Sequence, residues 1–387
     1  MADALAGIKV LDFSRVLAGP FAGRMLCDLG ADVVKVEPPE GDVTRLWGKS
    51  VAGISGYFNQ QNAGKRNISV DLSQPAGVEL VKKLVAEADV VIENFRPDVM
   101  PRLGLGYEVL QAINPRLVML SISGFGAGNE HSRRAAYAPV VHAEVGLVDR
   151  QAEISRSHPA DIALSVADTN ASLHGLVGLL TALLHRHTTG QGEHVEIAMV
   201  DATLVTNDGM SYALDGLRRP MPNEVHETSA GYLMLAGDFR YIWDRLSKVC
   251  GLQDGLEGEV ELADKIAARR AAAHTYFNQT LTTRADVIEA LDRMNIAWGD
   301  VRDAREVVDL PSVQARGSVT EVDDRAGGSR PIPQSPYHFQ NISAHVRGGA
   351  PHLGEHNQEV LSDWLGMDEA AVQAFQEVLV QGNTDGD

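Results

Sequence analysis

Cysteine is scarce in this chain, whose 387 residues hold only Cys27 and Cys250. Two thiols cannot build a disulfide framework, and no Cys/His spacing matches a zinc site, so a reducing cytoplasm is the expected setting and no metal is expected. Positive charge is short as well: 34 Lys and Arg stand against 52 Asp and Glu, a formal net charge of −18. A field of that sign repels phosphate backbones and anionic lipid, which disfavours nucleic acid as a partner. Long apolar runs are missing too. No segment reaches the roughly 18 apolar residues a membrane helix needs, and the first residues, Met1 to Gly7, lack the basic-then-apolar order of an export signal.

Familiar catalytic motifs are equally absent. No G-x-G-x-x-G follows the first apolar run, and neither a full P-loop nor H-E-x-x-H nor G-x-S-x-G occurs, so NAD, ATP, zinc-hydrolase and serine-hydrolase chemistry are disfavoured.

What is present is the pattern of a globular enzyme, 44% hydrophobic and 22% charged, long enough for about two domains. Over the first 200 residues, short β-branched runs alternate with helical segments, which predicts an α/β fold with a parallel sheet. The strands are expected at Ile8 to Phe13, Asp32 to Glu37, Asn67 to Leu72, Asp89 to Asn94, Leu117 to Ser123 and His194 to Ala198. Helices are expected at Phe21 to Leu29, with Gly30 as its C-terminal cap, at Ala76 to Ala88, at Tyr107 to Ile113 and at Thr169 to His187, with Asp201 capping another. In the long helix, Leu173, Leu176, Val177, Leu180, Leu183 and Leu184 recur at helical spacing and read as a core stripe. The expected division is a large domain over 1–215, a linker over 216–230, a smaller and mainly helical domain over 231–325, a proline-rich return linker over 326–345, and a C-terminal part over 346–387.

In a parallel sheet of this kind, ligands bind beyond the carboxyl ends of the strands. The loops there carry Val16-Leu17-Ala18-Gly19-Pro20, Thr44-Arg45-Leu46-Trp47, Asn94-Phe95-Arg96-Pro97 and the stretch from Arg133 to Tyr137. Leu17 to Pro20, together with Gly7 to Phe13, Leu29 to Glu37, Asn62 to Arg66, Ala88 to Phe95, Thr189 to Gly192 and Leu353 to His356, resembles the class III CoA-transferases of the CaiB/BaiF type. That family includes formyl-CoA transferase, carnitine CoA-transferase and the α-methylacyl-CoA racemase branch. The resemblance runs over nearly the whole chain. It implies a Rossmann-like large domain completed by the C-terminus, a smaller second domain, and an interlocked homodimer.

By the same resemblance, Asp168 is the carboxylate that becomes acylated, and coenzyme A contacts Val16, Leu17, Ala18, Val70, Leu72, Asn94, Phe95, Arg96, Arg102 and Tyr137. The implied activity is transfer of CoA from an acyl-CoA to a carboxylic acid, with the thioester as substrate and no further cofactor. Several residues admit a plainer reading. Asp168 and Asp201 also read as helix N-caps. Lys65 and Arg66 either hold a diphosphate or flank an edge strand, Trp47 either walls the acyl pocket or packs in the core, and Arg134 is a further phosphate or pocket contact. His142, His174, His185 and His187 are expected to be structural. The racemase branch places a histidine where this chain has Tyr137, which favours transfer over α-proton abstraction, and a non-catalytic CoA-binding subunit is the remaining alternative. Ala135 and Ala138 stand where formyl-CoA transferase has a lysine and a glutamate, and its glycine run has no counterpart between Met210 and Gly251, so oxalate is not assigned and a bulkier or less charged acyl group stands beside it as an open reading.

Overall fold

The computed structural model describes residues 2–218 and 224–380; residues 219–223 of the expected linker and the end of the C-terminal part, 381–387, lie outside the described residues. The chain forms two compact units, residues 1–210 with 312–387 and residues 211–311.

The first unit is built on a parallel sheet of β1 (Lys9–Asp12), β2 (Asp32–Glu37), β3 (Arg66–Ser69), β4 (Val90–Glu93), β5 (Val118–Ser123) and β6 (Glu193–Ala198). All six expected strands are therefore present, Asp32–Glu37 with the expected bounds and the other five with changed ends. Their order is β3-β2-β1-β4-β5-β6, with Lys9 paired to Asp32 on one side of β1 and Val10 to Val90 on the other. That order reverses direction between β1 and β4, and the reversal opens a crevice at the carboxyl ends of these two strands.

Strands buried on both faces read as nearly continuous apolar runs, and alternate residues feed two cores. Val10, Val33, Val90 and Leu120 face one; Leu11, Val34, Val91 and Met119 face the other. The first core is closed by α1 (Ala18–Asp28) and by a long helix that contributes Ala171, Leu176 and Leu179. The second is closed by α2 (Pro75–Glu87), α3 (Tyr107–Ile113) and the helix Asn357–Leu365, whose Val360, Leu361 and Trp364 return the chain's end to this unit. Gly30, at φ +106°, ends α1 and donates its N–H to the Cys27 carbonyl at 2.9 Å.

Three elements depart from expectation. After α4 (Ala138–Glu144), the long helix α5 runs Val166–Thr189, so Asp168 lies inside its first turn rather than ahead of it. The expected core stripe of α5 is split: Leu176 is buried, whereas Leu173, Val177 and Leu184 are exposed, because only one side of α5 meets the sheet and α1. Asp201 is the third residue of α6 (Met199–Thr206) and not its cap, which is Ala198. The proline-rich stretch, expected as a linker, begins with a strand, Ser329–Pro333, paired antiparallel with Val319–Asp323. Val322 and Ile332 pack there with Ala63 and Val346, which is why the first unit takes the chain back at residue 312.

The second unit pairs Glu224–Thr228, Gly231–Leu235 and Trp298–Asp300 in an antiparallel sheet beside helices Phe239–Cys250, Leu262–Thr275 and Arg284–Met294. Its core gathers Leu233, Ile242, Trp243, Phe277 and Leu291. The sheet is additional to the mainly helical reading; its strands are short and mostly half-exposed, so they leave little apolar alternation in sequence.

Candidate active site

The chain leaves β1 through Asp12, Phe13, Ser14, Arg15 and Val16 into α1. This turn is tied down by buried charged groups. Asp12 is fully buried and pairs with Lys65, whose ammonium donates to Asp12 Oδ2 at 2.7 Å, the Pro20 carbonyl at 2.8 Å and Asn62 Oδ1 at 2.9 Å. Burial would raise the Asp12 carboxyl, but the Lys65 and Lys35 ammonium groups outweigh it and hold it below its ordinary value. A second buried pair, Lys35 with Asp42 at 3.2 Å, lies beside it. Gly19 permits the close approach of α1 to the turn, since a Cβ there would fall 2.1 Å from Ser14 Cβ.

Asp168 reaches this turn from α5. It retains 9% of its surface, enough to be reached through the crevice and too little to be hydrated freely. Burial pushes its carboxyl up to about 6, while the backbone N–H groups of Ala138 and Ala18 and nearby His142 pull the other way. These N–H groups open α4 and α1, where a helix leaves its first donors without partners and favours negative charge. Ser172, one turn along α5, donates to the Ala18 carbonyl and locks α5 onto α1.

His142 is buried with both ring nitrogens engaged. Nδ1 meets Asp161 Oδ1 at 2.8 Å, and Nε2 accepts the Ala167 N–H at 3.2 Å, so the ring holds the first turn of α5 and has no nitrogen left for an α-proton.

Asp168 lines a cavity of about 920 Å³ that follows the switch-point crevice. Of the residues expected on sequence grounds, Val16, Ala18, Leu72, Asn94, Phe95, Arg96, Arg134 and Tyr137 line it with Asp168. Leu17, Val70 and Arg102 are not among its walls: Leu17 is the buried cap residue of α1, Val70 is fully buried and bridges to Leu379, and Arg102 is mostly exposed beside Asp98. Lys65 is spent on Asp12. Arg66 is spent on Asp32, Glu359 and Asp363 at 2.6, 3.0 and 2.8 Å. Neither cation is turned to a phosphate, because each already faces carboxylates of its own chain. Trp47 is 38% exposed and meets the Tyr57 ring edge-on at 5.1 Å, so it neither walls the cavity nor packs in the core.

Arg15 is a cavity residue that sequence reading missed. Its guanidinium lies 5.6 Å from the Phe95 ring centre, and its Nε is buried without a hydrogen-bond partner among the described residues. An unmatched guanidinium nitrogen at a cavity wall is a natural anchor for a phosphate or carboxylate oxygen. Its signal in sequence was its place in the loop that follows the first strand. Asn94 was expected to meet the coenzyme, but its side-chain amide is taken up by the Arg15 backbone, accepting from the N–H at 2.7 Å and donating to the carbonyl at 2.8 Å. Among the described residues no group of three or more His, Cys, Asp or Glu is placed to hold a metal, and no helix is long and apolar enough to cross a membrane.

Comparison with known proteins covers nearly the whole chain. Residues 5–357 match the family described as CoA-transferase family III. The chain is 34% identical to a succinate–glutarate CoA-transferase of Agrobacterium fabrum, across 93% of this chain and 95% of that one. It is 31% identical to a succinyl-CoA–D-citramalate CoA-transferase of Chloroflexus aurantiacus, across 96% of both. Among solved structures, a CAIB/BAIF family protein from Brucella suis superposes with a TM-score of 0.80 at 31% identity, covering 94% of this chain and all of that one.

Proposed function

We propose, for a chain that belongs to CoA-transferase family III and so moves coenzyme A between acyl-CoA and carboxylic acids, that Asp168 is the group through which the transfer passes. The observation that carries this reading is a nearly dry carboxylate in the switch-point cavity, held by N–H groups at two helix starts. An Asp168 oxygen attacks the thioester carbonyl; a C–O bond forms, the C–S bond breaks, and CoA thiolate leaves a mixed aspartyl anhydride. The thiolate attacks the aspartyl carbonyl, releasing the first acid and leaving an aspartyl thioester. An incoming carboxylate reverses both steps. No water is consumed, and none can be admitted.

The coenzyme is read as lying along Val16, Ala18, Leu72, Phe95, Arg96 and Tyr137, with Arg15 supplying further positive charge, whereas Arg134 on the same wall is already paired with Glu144 at 2.6 Å. The relatives act on succinate, glutarate and D-citramalate, and a dicarboxylic acid larger than oxalate is the acid class proposed. The exposed Leu173, Val177 and Leu184 face of α5 supports a homodimer, the apolar surface being covered by a second copy. A panel of acyl-CoAs and acids, with products identified by mass, tests the activity; a chain that binds CoA yet forms no product with any pair would be a non-catalytic subunit instead.

Two further outcomes are expected. The attacking form is the carboxylate, and burial raises the Asp168 pKa to about 6, so kcat/KM is flat above that value and falls about tenfold for each pH unit below it. A profile that stays level down to about pH 4.5 would remove Asp168 from the rate-determining ionisation. Because His142 has no nitrogen free, a 2-methylacyl-CoA incubated in deuterated water should gain no α-deuterium at rates comparable to transfer. Deuterium incorporation at the turnover rate would favour the racemase reading.

A further inference from the structure

Val16 has φ +67°. For a β-branched residue this left-handed conformation is an outlier that persists only when its surroundings enforce it. Three side chains enforce it here, each on a different backbone group. Lys35 donates to the Ser14 carbonyl at 2.7 Å. Asn94 grips both the N–H and the carbonyl of Arg15. Asp42 Oδ2 accepts the Val16 N–H at 3.2 Å, while its other oxygen takes the Thr44 N–H at 3.0 Å. Lys35 and Asp42 are themselves an ion pair with no exposed surface. Taking two charges out of water is costly, so such a pair is better explained by the geometry it imposes than by net stabilisation.

The bend has a local consequence. Immediately after Val16 the chain turns into α1 through Leu17, at φ −136° and ψ −60°, and Ala18, the first residue of the helix, takes the Ser172 hydroxyl on its carbonyl, one turn along α5 from Asp168. Val16, Ala18 and Asp168 share the same cavity wall. We infer that Lys35, Asp42 and Asn94 are positioning residues, which hold Val16 in its strained bend and thereby aim the Ala18 N–H at the Asp168 carboxylate. This rests on the proposed role of Asp168 and gives Asn94 a task other than touching the coenzyme.

The test uses the strain itself. Glycine adopts positive φ without help, so a Val16→Gly background should no longer need the clamp. Asn94→Ala alone is expected to lower kcat roughly ten- to a hundredfold, with KM for acyl-CoA within about twofold, because misplacing a reacting group costs rate rather than binding. In the Val16→Gly background the same Asn94→Ala change should cost no more than about threefold. A raised KM with unchanged kcat would mark Asn94 as a direct coenzyme contact and overturn the inference. An Asn94→Ala loss equally large in both backgrounds would overturn it as well. Should Asn94→Ala fail to fold, Asn94→Asp keeps the acceptor for the Arg15 N–H, loses the donor to its carbonyl, and is judged by the same two comparisons. Wild-type protein treated with acyl-CoA is analysed in parallel for a covalent adduct on Asp168. Turnover without an adduct defeats the nucleophile and, with it, this inference; an adduct with unimpaired Asn94→Ala defeats the positioning role alone.

Discussion

Asp168→Asn should lower the rate of CoA transfer by at least about a thousandfold and leave acyl-CoA binding within a few-fold, because an amide of the same size cannot form the anhydride. The same variant should be more stable than the wild type at pH 8. Burial raises the Asp168 carboxyl from 3.8 to about 6, so the folded state holds its proton more tightly than the unfolded chain does. Stability therefore falls as pH rises from about 4 to about 6 and stays reduced above that, by up to about 3 kcal/mol. Asparagine carries no such penalty. Urea unfolding at pH 8 and at pH 4 checks the sign, since the advantage of the variant should disappear at the lower pH. A variant that is both inactive and less stable at pH 8 would indicate a structural role for the carboxylate instead.

Lys65→Met is expected to be the most destabilising single change near the site, about 3–5 kcal/mol, because it leaves the fully buried Asp12 carboxylate without its cation. Asn62 and the Pro20 carbonyl lose a donor at the same time. The midpoint of urea unfolding should drop by about 1 M or more. Pairing Lys65→Met with Asp12→Leu removes both charges and should recover much of the loss, since most of it comes from the stranded partner. A phosphate-binding Lys65 would behave differently: KM for acyl-CoA would rise while the urea midpoint stayed in place.

These two residues show what the sequence made legible. The sheet was readable because its central strands, buried on both faces, carry compact β-branched runs such as Val33-Val34 or Val90-Val91-Ile92. Asp168 was reached through the resemblance, since locally an aspartate at a helix start is as readily a cap. Lys65 and Arg66 misled because a basic pair beyond a strand looks like an anion site. Only the fold shows that Asp12 and Asp32, far away in sequence, already claim them. The strained Val16 was invisible for a similar reason: nothing in a valine announces a positive φ, and the residues that impose it, Lys35, Asp42 and Asn94, meet only after three strands have paired. The exposed half of the α5 stripe misled in the opposite sense, because apolar periodicity does not say which surface covers it.

The most direct test incubates the protein with an acyl-CoA in the absence of an acceptor acid, quenches with hydroxylamine, and maps the modified peptide by mass. A hydroxamate on Asp168, absent from untreated protein and from the Asp168→Asn variant, is the expected result. Steady turnover with no modification at Asp168, or with the modification on another carboxylate, would contradict it.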